Sequence, residues 1–265
     1  MRFAIVDNKK VEAKTGLIAN CPGCSLPVTP KCGDQRVHHW AHSRNKMCDT
    51  WWEPETEWHR NWKIKFPEEW QENFLTDDKT GEKHIADIMT DKGLVIEFQH
   101  SHIKPQERLS REAFYRNLAW VVDGSRLKRD YPRFLNRKEF FEVMKNGLFR
   151  VDYPEWCFPS AWLESDVPVL FDFQNIDPLL DPENKRQVLC CLFPVKVGSN
   201  AIVAEVTQNA FVNDVISGEW VVKTRQMINY ITQVSKEHQQ RLEREKRNEE
   251  IWRFKTYSIP RGRRF

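Results

Sequence analysis

The sequence predicts an α/β chain: a mixed sheet flanked by helices, with a small cysteine- and histidine-bearing module before it and an α+β region ending in a long helix after it. Three observations predict this. Residues 84–103, HIADIMTDKGLVIEFQHSHI, hold two alternating runs joined by Asp91-Lys92-Gly93, the pattern of a hairpin. Helical patterns flank that hairpin at residues 51–66 and 104–117. The apolar run Leu118–Asp123 then has the composition of a buried strand. With Asn73–Thr76 as a first strand, the order is helix, three strands, helix, strand.

Composition sets the limits. The chain has 265 residues, 30% charged and 40% hydrophobic, as expected of a soluble protein with a real core. No run reaches the length of a membrane span, and MRFAIVDNKK lacks a signal-peptide pattern, so the cytoplasm is the expected location. A net charge of +3 is too small for the whole-molecule field to attract nucleic acid, so a local patch would have to do so. Seven cysteines without an export signal point to metal binding rather than a disulfide framework.

In chain order, strands are expected around Phe3–Val6 and Leu17–Asn20. Cys21 and Cys24 form a CxxC knuckle that can offer two thiolates to one tetrahedral ion, and His42 and Cys48 offer a second pair. Four such ligands leave no vacancy, so this zinc site would be structural. A redox CxxC or buried thiols are the alternatives. Cys32 reads as a bystander. His39 is a possible substitute for His42.

In the helix of residues 51–66, Trp58 and Trp62 share one face, and Glu55, His59 and Lys63 form a second line. Either that line is solvated, or Glu57, His59 or Lys63 faces the acidic hairpin. Asp87 and Glu97 lie on its two strands, and Gln99 shares a face with Glu97. They are either edge charges facing water or two carboxylates converging on a hard divalent cation such as magnesium. Helix 104–117 carries Arg108, Arg111 and Tyr115 on a polar stripe that could hold phosphate beside such a site.

Residues 124–150 interleave basic and aromatic side chains, which suits a nucleic-acid backbone or an ordinary amphipathic helix. The proline-dense segment 151–186 reads as a linker or wrapping segment around one strand, Val167–Phe173. Two strand-like runs follow within 188–206. Thr207 caps a short helix stopped by Gly218, and a long helix ends in alternating charges.

One succession of motifs resembles the CoiA-like competence nucleases over about residues 10–175. It runs CPGC, KCGDQRVHHWAH, Cys48, ETEWHRNWK, HIADI…IEFQHSHI, and RxxxY followed by WVVD. The resemblance implies a PD-(D/E)xK core behind a zinc module, hence units of 1–50, 51–175 and 176–265. It makes Asp87 and Glu97 the acids that bind Mg2+ or Mn2+, with Glu57 supplied by the preceding helix and Glu55 and His59 nearby. Gln99 replaces the lysine of the superfamily pattern, a charge that Lys63, Lys83 or Lys104 could restore. Arg111 and Tyr115 match the RxxxY element, and Cys21, Cys24, His42 and Cys48 match the zinc positions. The expected mechanism has Asp87, Glu97 and the Phe98 carbonyl holding the ion and Gln99 aiming water. Arg108 or Arg111 holds phosphate, with Lys63 and His59 also on the substrate side. The expected function is a nuclease acting on DNA in competence, recombination or foreign-DNA processing. The alternative is a catalytically weak or inactive nuclease fold that binds nucleic acid. The C-terminal helix is the expected contact for a second copy or a recombination partner.

Overall fold

The computed structural model describes residues 1–34, 36–42, 49–51, 54–77, 81–177, 179 and 184–257. Near the N-terminus, β1 (Phe3–Val6), β2 (Lys9–Glu12), β3 (Ala19–Asn20), β4 (Pro27–Lys31) and β5 (His39–His42) form an antiparallel sheet in the order β2-β1-β3-β4-β5. Asp7 and Asn8 join β1 to β2 with φ of 48° and 63°, as a two-residue hairpin loop that follows the strand twist requires. Sequence reading finds β1 and β3, the latter two residues shorter than the expected Leu17–Asn20. It misses β2, β4 and β5 because they are short, polar and, in β4, interrupted by Pro30. The core here is small: Met1, Ala4, Ala13, Ala19, Cys21, Val28 and Trp40.

Among the described residues the second sheet has nine strands. They are β6 (Gln71–Thr76), β7 (Lys83–Met89), β8 (Val95–Gln99), β9 (Leu118–Asp123), β10 (Glu142–Val143), β11 (Leu148–Val151), β12 (Val169–Asp172), β13 (Val188–Leu192) and β14 (Ala201–Thr207). Their order is β10-β11-β14-β13-β12-β9-β8-β7-β6. Strands β8, β9 and β12 run parallel, and the remaining neighbours are antiparallel. Alternation sends Ile96, Phe98 and Val121 to one core and Val95 and Trp120 to the other, so both faces are covered. Gly93, at φ 76°, closes the β7–β8 hairpin where the sequence places it.

Among the described residues, five α-helices flank the sheets: α1 (Glu57–Lys63), α2 (Pro105–Tyr115), α3 (Asp130–Lys138), α4 (Gln208–Ser217) and α5 (Glu219–Tyr257). The boundary expected at residue 175 falls inside the large sheet, because β12 pairs with both β9 and β13. The prolines around β12 shape short 3-10 turns such as Pro154–Trp156, while the apolar Val169–Asp172 between them is fully buried. Thr207 caps α4 and Gly218 ends it at φ 80°, both as the sequence indicates. Helix α5 has 39 residues, a length of about 58 Å. Trp220 and Ile231 seat its first half on the core, and residues 239–253 are exposed throughout.

Helix α1 is shorter than the pattern over 51–66. Thr56 caps it: its hydroxyl accepts from the His59 N–H at 3.4 Å, and His59 Nδ1 accepts from the Thr56 N–H at 3.2 Å. Pro67 disfavours a helical Phe66 and so limits extension. Trp58 and Trp62 each donate an indole N–H to Asp172 Oδ2, at 2.9 and 2.8 Å, which fixes α1 to the sheet. Burial raises the Asp172 carboxyl pKa, opposed by the Gln174 N–H and these indoles. Asp172→Ala leaves two buried donors unmet, so it should cost about 2–4 kcal/mol in urea denaturation. Asp172→Asn, which keeps an acceptor oxygen, should cost less. Equal stability for parent and alanine variant would contradict this role.

Candidate functional site

The β7–β8 ladder pairs Met89 with Val95 and Ile88 with Ile96. One step further, side chains take over from backbone. The Asp87 N–H donates to Glu97 Oε1 at 3.2 Å, and the Phe98 N–H donates to Asp87 Oδ2 at 3.0 Å. The two acids therefore meet where the strands part, and both line one cleft. Glu55, Glu72, His59 and Lys63 line it as well.

Lys63 is buried, with Nζ 2.8 Å from Asp87 Oδ1, 3.1 Å from Glu72 Oε1 and 3.4 Å from Glu55 Oε1. Burial opposes its charge, but the three carboxylates outweigh burial and hold its pKa well above the usual lysine value. Burial likewise works against the Glu72 carboxylate. Lys63, the N-terminal ammonium and the N–H groups of Arg2 and Phe3 reverse that and bring it to about 2. Glu97 goes the other way: burial and then repulsion from Asp87 push it up to about 8, against the attraction of Arg111.

Several expected site residues stand elsewhere. Glu57 is exposed and outside the cleft. It lies two residues from His59, about 200° round the helix, so His59 and Lys63 face inward while it faces out. Glu55, in the extended approach to α1, occupies the cleft wall instead. Gln99 is buried, but its amide donates to the Ser101 carbonyl and hydroxyl at 3.2 and 3.1 Å and is not part of the cleft wall. Arg108 is held by Glu112 through bonds of 2.7 and 2.6 Å, away from the cleft. Arg111 does reach the cleft, but its guanidinium already donates to Glu97 (3.0 Å), the Trp51 carbonyl (2.7 Å) and Glu107 (2.5 Å). These i,i+4 glutamates are why the two arginines are not free for phosphate. Tyr115 is buried, its pKa raised by burial and then Glu97, and its hydroxyl has no hydrogen-bond partner among the described residues. His59 Nε2 lies 3.1 Å from the Phe98 carbonyl, the group expected to bind metal.

Sequence reading missed Asp49, Glu72 and His84. Asp49 is buried at the cleft wall, accepting from His84 Nδ1, the Trp51 N–H and the Ile85 N–H, each at 2.9 Å. The one signal for it is its place directly after Cys48. Glu72 sits at φ 49°, a backbone state no sequence pattern announced.

In the N-terminal sheet, one donor atom each from Cys21, Cys24 and His42 lies within 4.8 Å of the others, and His42 Nε2 is 3.3 Å from Cys24 Sγ. Burial, then the N-terminal ammonium, lowers the His42 pKa and favours the neutral ring that ligates metals. Two thiols and an imidazole suit a metal such as zinc. Cys48 lies outside the described residues. Cys32 and His39 are not part of the cluster. Among the described residues no other three such donors converge this closely.

The fold and sites therefore define an α/β protein with a Cys/His cluster that could hold a metal such as zinc and an acidic cleft carrying a buried lysine. Residues 8–50, which contain that cluster's Cys21, Cys24 and His42, match the family model described as Competence protein CoiA, N-terminal domain, and this match supports a competence-related role. No curated protein and no solved structure matches the chain. No helix among the described residues is long and apolar enough to cross a membrane.

The chain should carry about one equivalent of zinc by metal analysis, and Cys21→Ser or His42→Ala should lose it with a lowered Tm. Full zinc content in both variants would remove these ligands. Glu97 gives a pH test. Between its ordinary 4.5 and about 8, the folded chain keeps a proton that the unfolded chain has released, so this contribution to stability falls as pH rises through that window. Without added divalent cation, urea midpoints of the parent should fall across it relative to Glu97→Gln. Parallel curves would show that Glu97 titrates normally.

Proposed function

We propose that the chain is a metal-dependent nuclease with a core of the PD-(D/E)xK type, hydrolysing phosphodiester bonds of DNA in competence, recombination or the processing of foreign DNA. One observation carries this reading: Asp87, Glu97 and Lys63 share a single cleft at the point where β7 and β8 part. The donor set suits a hard divalent ion. Burial and then repulsion from Asp87 raise Glu97 to about 8 even with Arg111 beside it, and a hard cation between the two acids would offset that repulsion. Asp87 and Glu97 would hold Mg2+ or Mn2+, which when bound acidifies water and offsets charge on phosphate.

The other residues serve that pair. Lys63 pairs with Asp87 at 2.8 Å and supplies from α1 the positive charge that Gln99 cannot. Arg111 orients Glu97 through its 3.0 Å bond, so it is a positioning residue and not a phosphate clamp. His59 holds the Phe98 backbone at the splay. A second reading, a nuclease fold that binds nucleic acid without cutting it, is favoured by the engagement of Gln99, Arg108 and Arg111 in internal bonds.

Labelled linear, circular, branched and single-stranded DNA, assayed with and without magnesium, separates the two. The parent should cut at least one substrate only with the ion. Asp87→Ala, Glu97→Ala and Lys63→Met should each lower the rate by about 10²-fold or more while zinc content stays the same. Variants that cut like the parent would sink the nuclease reading. A parent that binds but never cuts would establish the second.

A further inference from the structure

We propose that α3 and the turn after β11 form a track for one unpaired nucleic-acid strand. It leads from the cleft, across a cavity about one nucleotide in size, to a ladder of aromatic rings and arginine. Only its starting point, the cleft, is taken from the nuclease reading.

The ladder is the first observation. The Tyr153 ring stacks on Trp156 with centroids 5.0 Å apart and planes 20° from parallel. The Arg137 guanidinium lies 4.4 Å from the Trp156 ring centroid and 5.9 Å from that of Phe140. These rings are not core: Phe140 is 71% exposed, Tyr153 61% and Trp156 50%. Three large aromatics exposed side by side mark a surface that meets something. Tyr153 also adopts φ 52°, an unfavourable backbone state for a residue with a Cβ, in presenting its ring there.

The second observation is charge. Residues 126–138 contain six basic side chains and one acid, Asp130. Glu142 and Asp152 pair with Arg150, Asp130 pairs with Arg133 and Glu205 with Lys138, and Glu139 and Glu155 also lie along this stretch, where cations still outnumber acids. A chain whose net charge is only +3 thus concentrates cations beside exposed rings. Stacking faces with adjacent cations are what a single strand needs, because its bases offer free faces and its phosphates offer charge. Duplex bases hide those faces in their own stack.

The third observation joins ladder to cleft. Arg133 lies one helical turn before Arg137 and lines a cavity of about 280 Å³ with Arg126, His102, Phe158 and Trp162. This volume is just below the range of about 300–1,000 Å³ typical of ligand pockets, so it fits one nucleotide and not a duplex end. The cavity opens beside the carboxyl ends of the parallel strands β8 and β9, where open α/β sheets commonly take ligands. His100 also lines it, held by Asp123 at 2.7 Å, and its ring centroid is 6.0 Å from that of His59 in the cleft.

The test measures binding without cutting. Fluorescence anisotropy of a labelled oligo-dT of about 20 nucleotides, and of a duplex of equal length, is recorded with no divalent cation added. The parent should bind the single strand more tightly. Trp156→Ala should weaken it about tenfold, Phe140→Ala should weaken it too, and Trp156→Phe should keep most of the affinity. Arg137→Ala should make the salt dependence shallower by about 0.7 in the log–log slope, the loss of one phosphate contact, which a purely structural defect would not do. Unchanged affinity in Trp156→Ala and Phe140→Ala, a preference for the duplex, or no salt-dependent binding at all, as a protein-docking surface would give, overturns the track. If the parent binds the strand but cuts nothing with magnesium, the nuclease reading falls and the track stands. If the parent cuts while Trp156→Ala binds like the parent, the reverse holds.

Discussion

A single ammonium, that of Lys63, lies buried among Asp87, Glu72 and Glu55, and the arrangement of the cleft depends on it. Removing one partner from a buried charge cluster costs far more than a surface pair contributes, because the remaining charges are left without compensation. This cluster joins elements far apart in sequence. Lys63 comes from α1, Asp87 from β7 and Glu72 from β6. Glu72 then reaches the N-terminal sheet through the N–H groups of Arg2 and Phe3. The same cation that pairs with Asp87 therefore helps hold the small sheet against the large one.

The small sheet is consequently part of the site's wall rather than a separate appendage. Met1 and Asp49 both line the cleft. Asp49 stands directly after the expected zinc ligand Cys48 and satisfies the Ile85 N–H at the neighbouring strand. A metal that orders the Cys21, Cys24 and His42 cluster would thus steady one side of the acidic cleft without supplying any chemistry there. Glu97, which has no ion pair with Lys63 among the described residues, is the acid that holds its proton up to about 8, through burial and then repulsion from Asp87.

What the sequence made legible is local and periodic. Alternation put Asp87 and Glu97 on paired strands, Gly93 marked their turn, and Thr207 and Gly218 marked the ends of α4. Partners set by tertiary approach were not legible. Glu72 needed a left-handed backbone just before the expected strand start. Glu57 gave way to Glu55 because the Thr56 cap fixes where α1 begins and so which residues face inward. The commitments of Arg108 and Arg111 were within reach, since Glu112 and Glu107 stand four residues away on the same helix. That spacing carried more weight than the likeness of the stripe to a phosphate site. The proline-dense segment misled for a related reason: composition described the flanks of β12 and not its place at the centre of the sheet.

Moving a cation from strand to helix changes what must be held still. On the nuclease reading, a lysine two residues after Glu97 would be fixed by the same strand as the acid, and its position would follow from the ladder. Gln99 stands there instead, and Lys63 reaches the cleft from α1, which is only seven residues long. So short a helix has little intrinsic stability and depends on packing for its position. Here that comes from Trp58 and Trp62, which bury their rings in the core and donate both indole N–H groups to Asp172 on β12. The central strand of the sheet thus sets the reach of Lys63, and the paired tryptophans of α1 are as much a part of the acidic cleft as the charges they place.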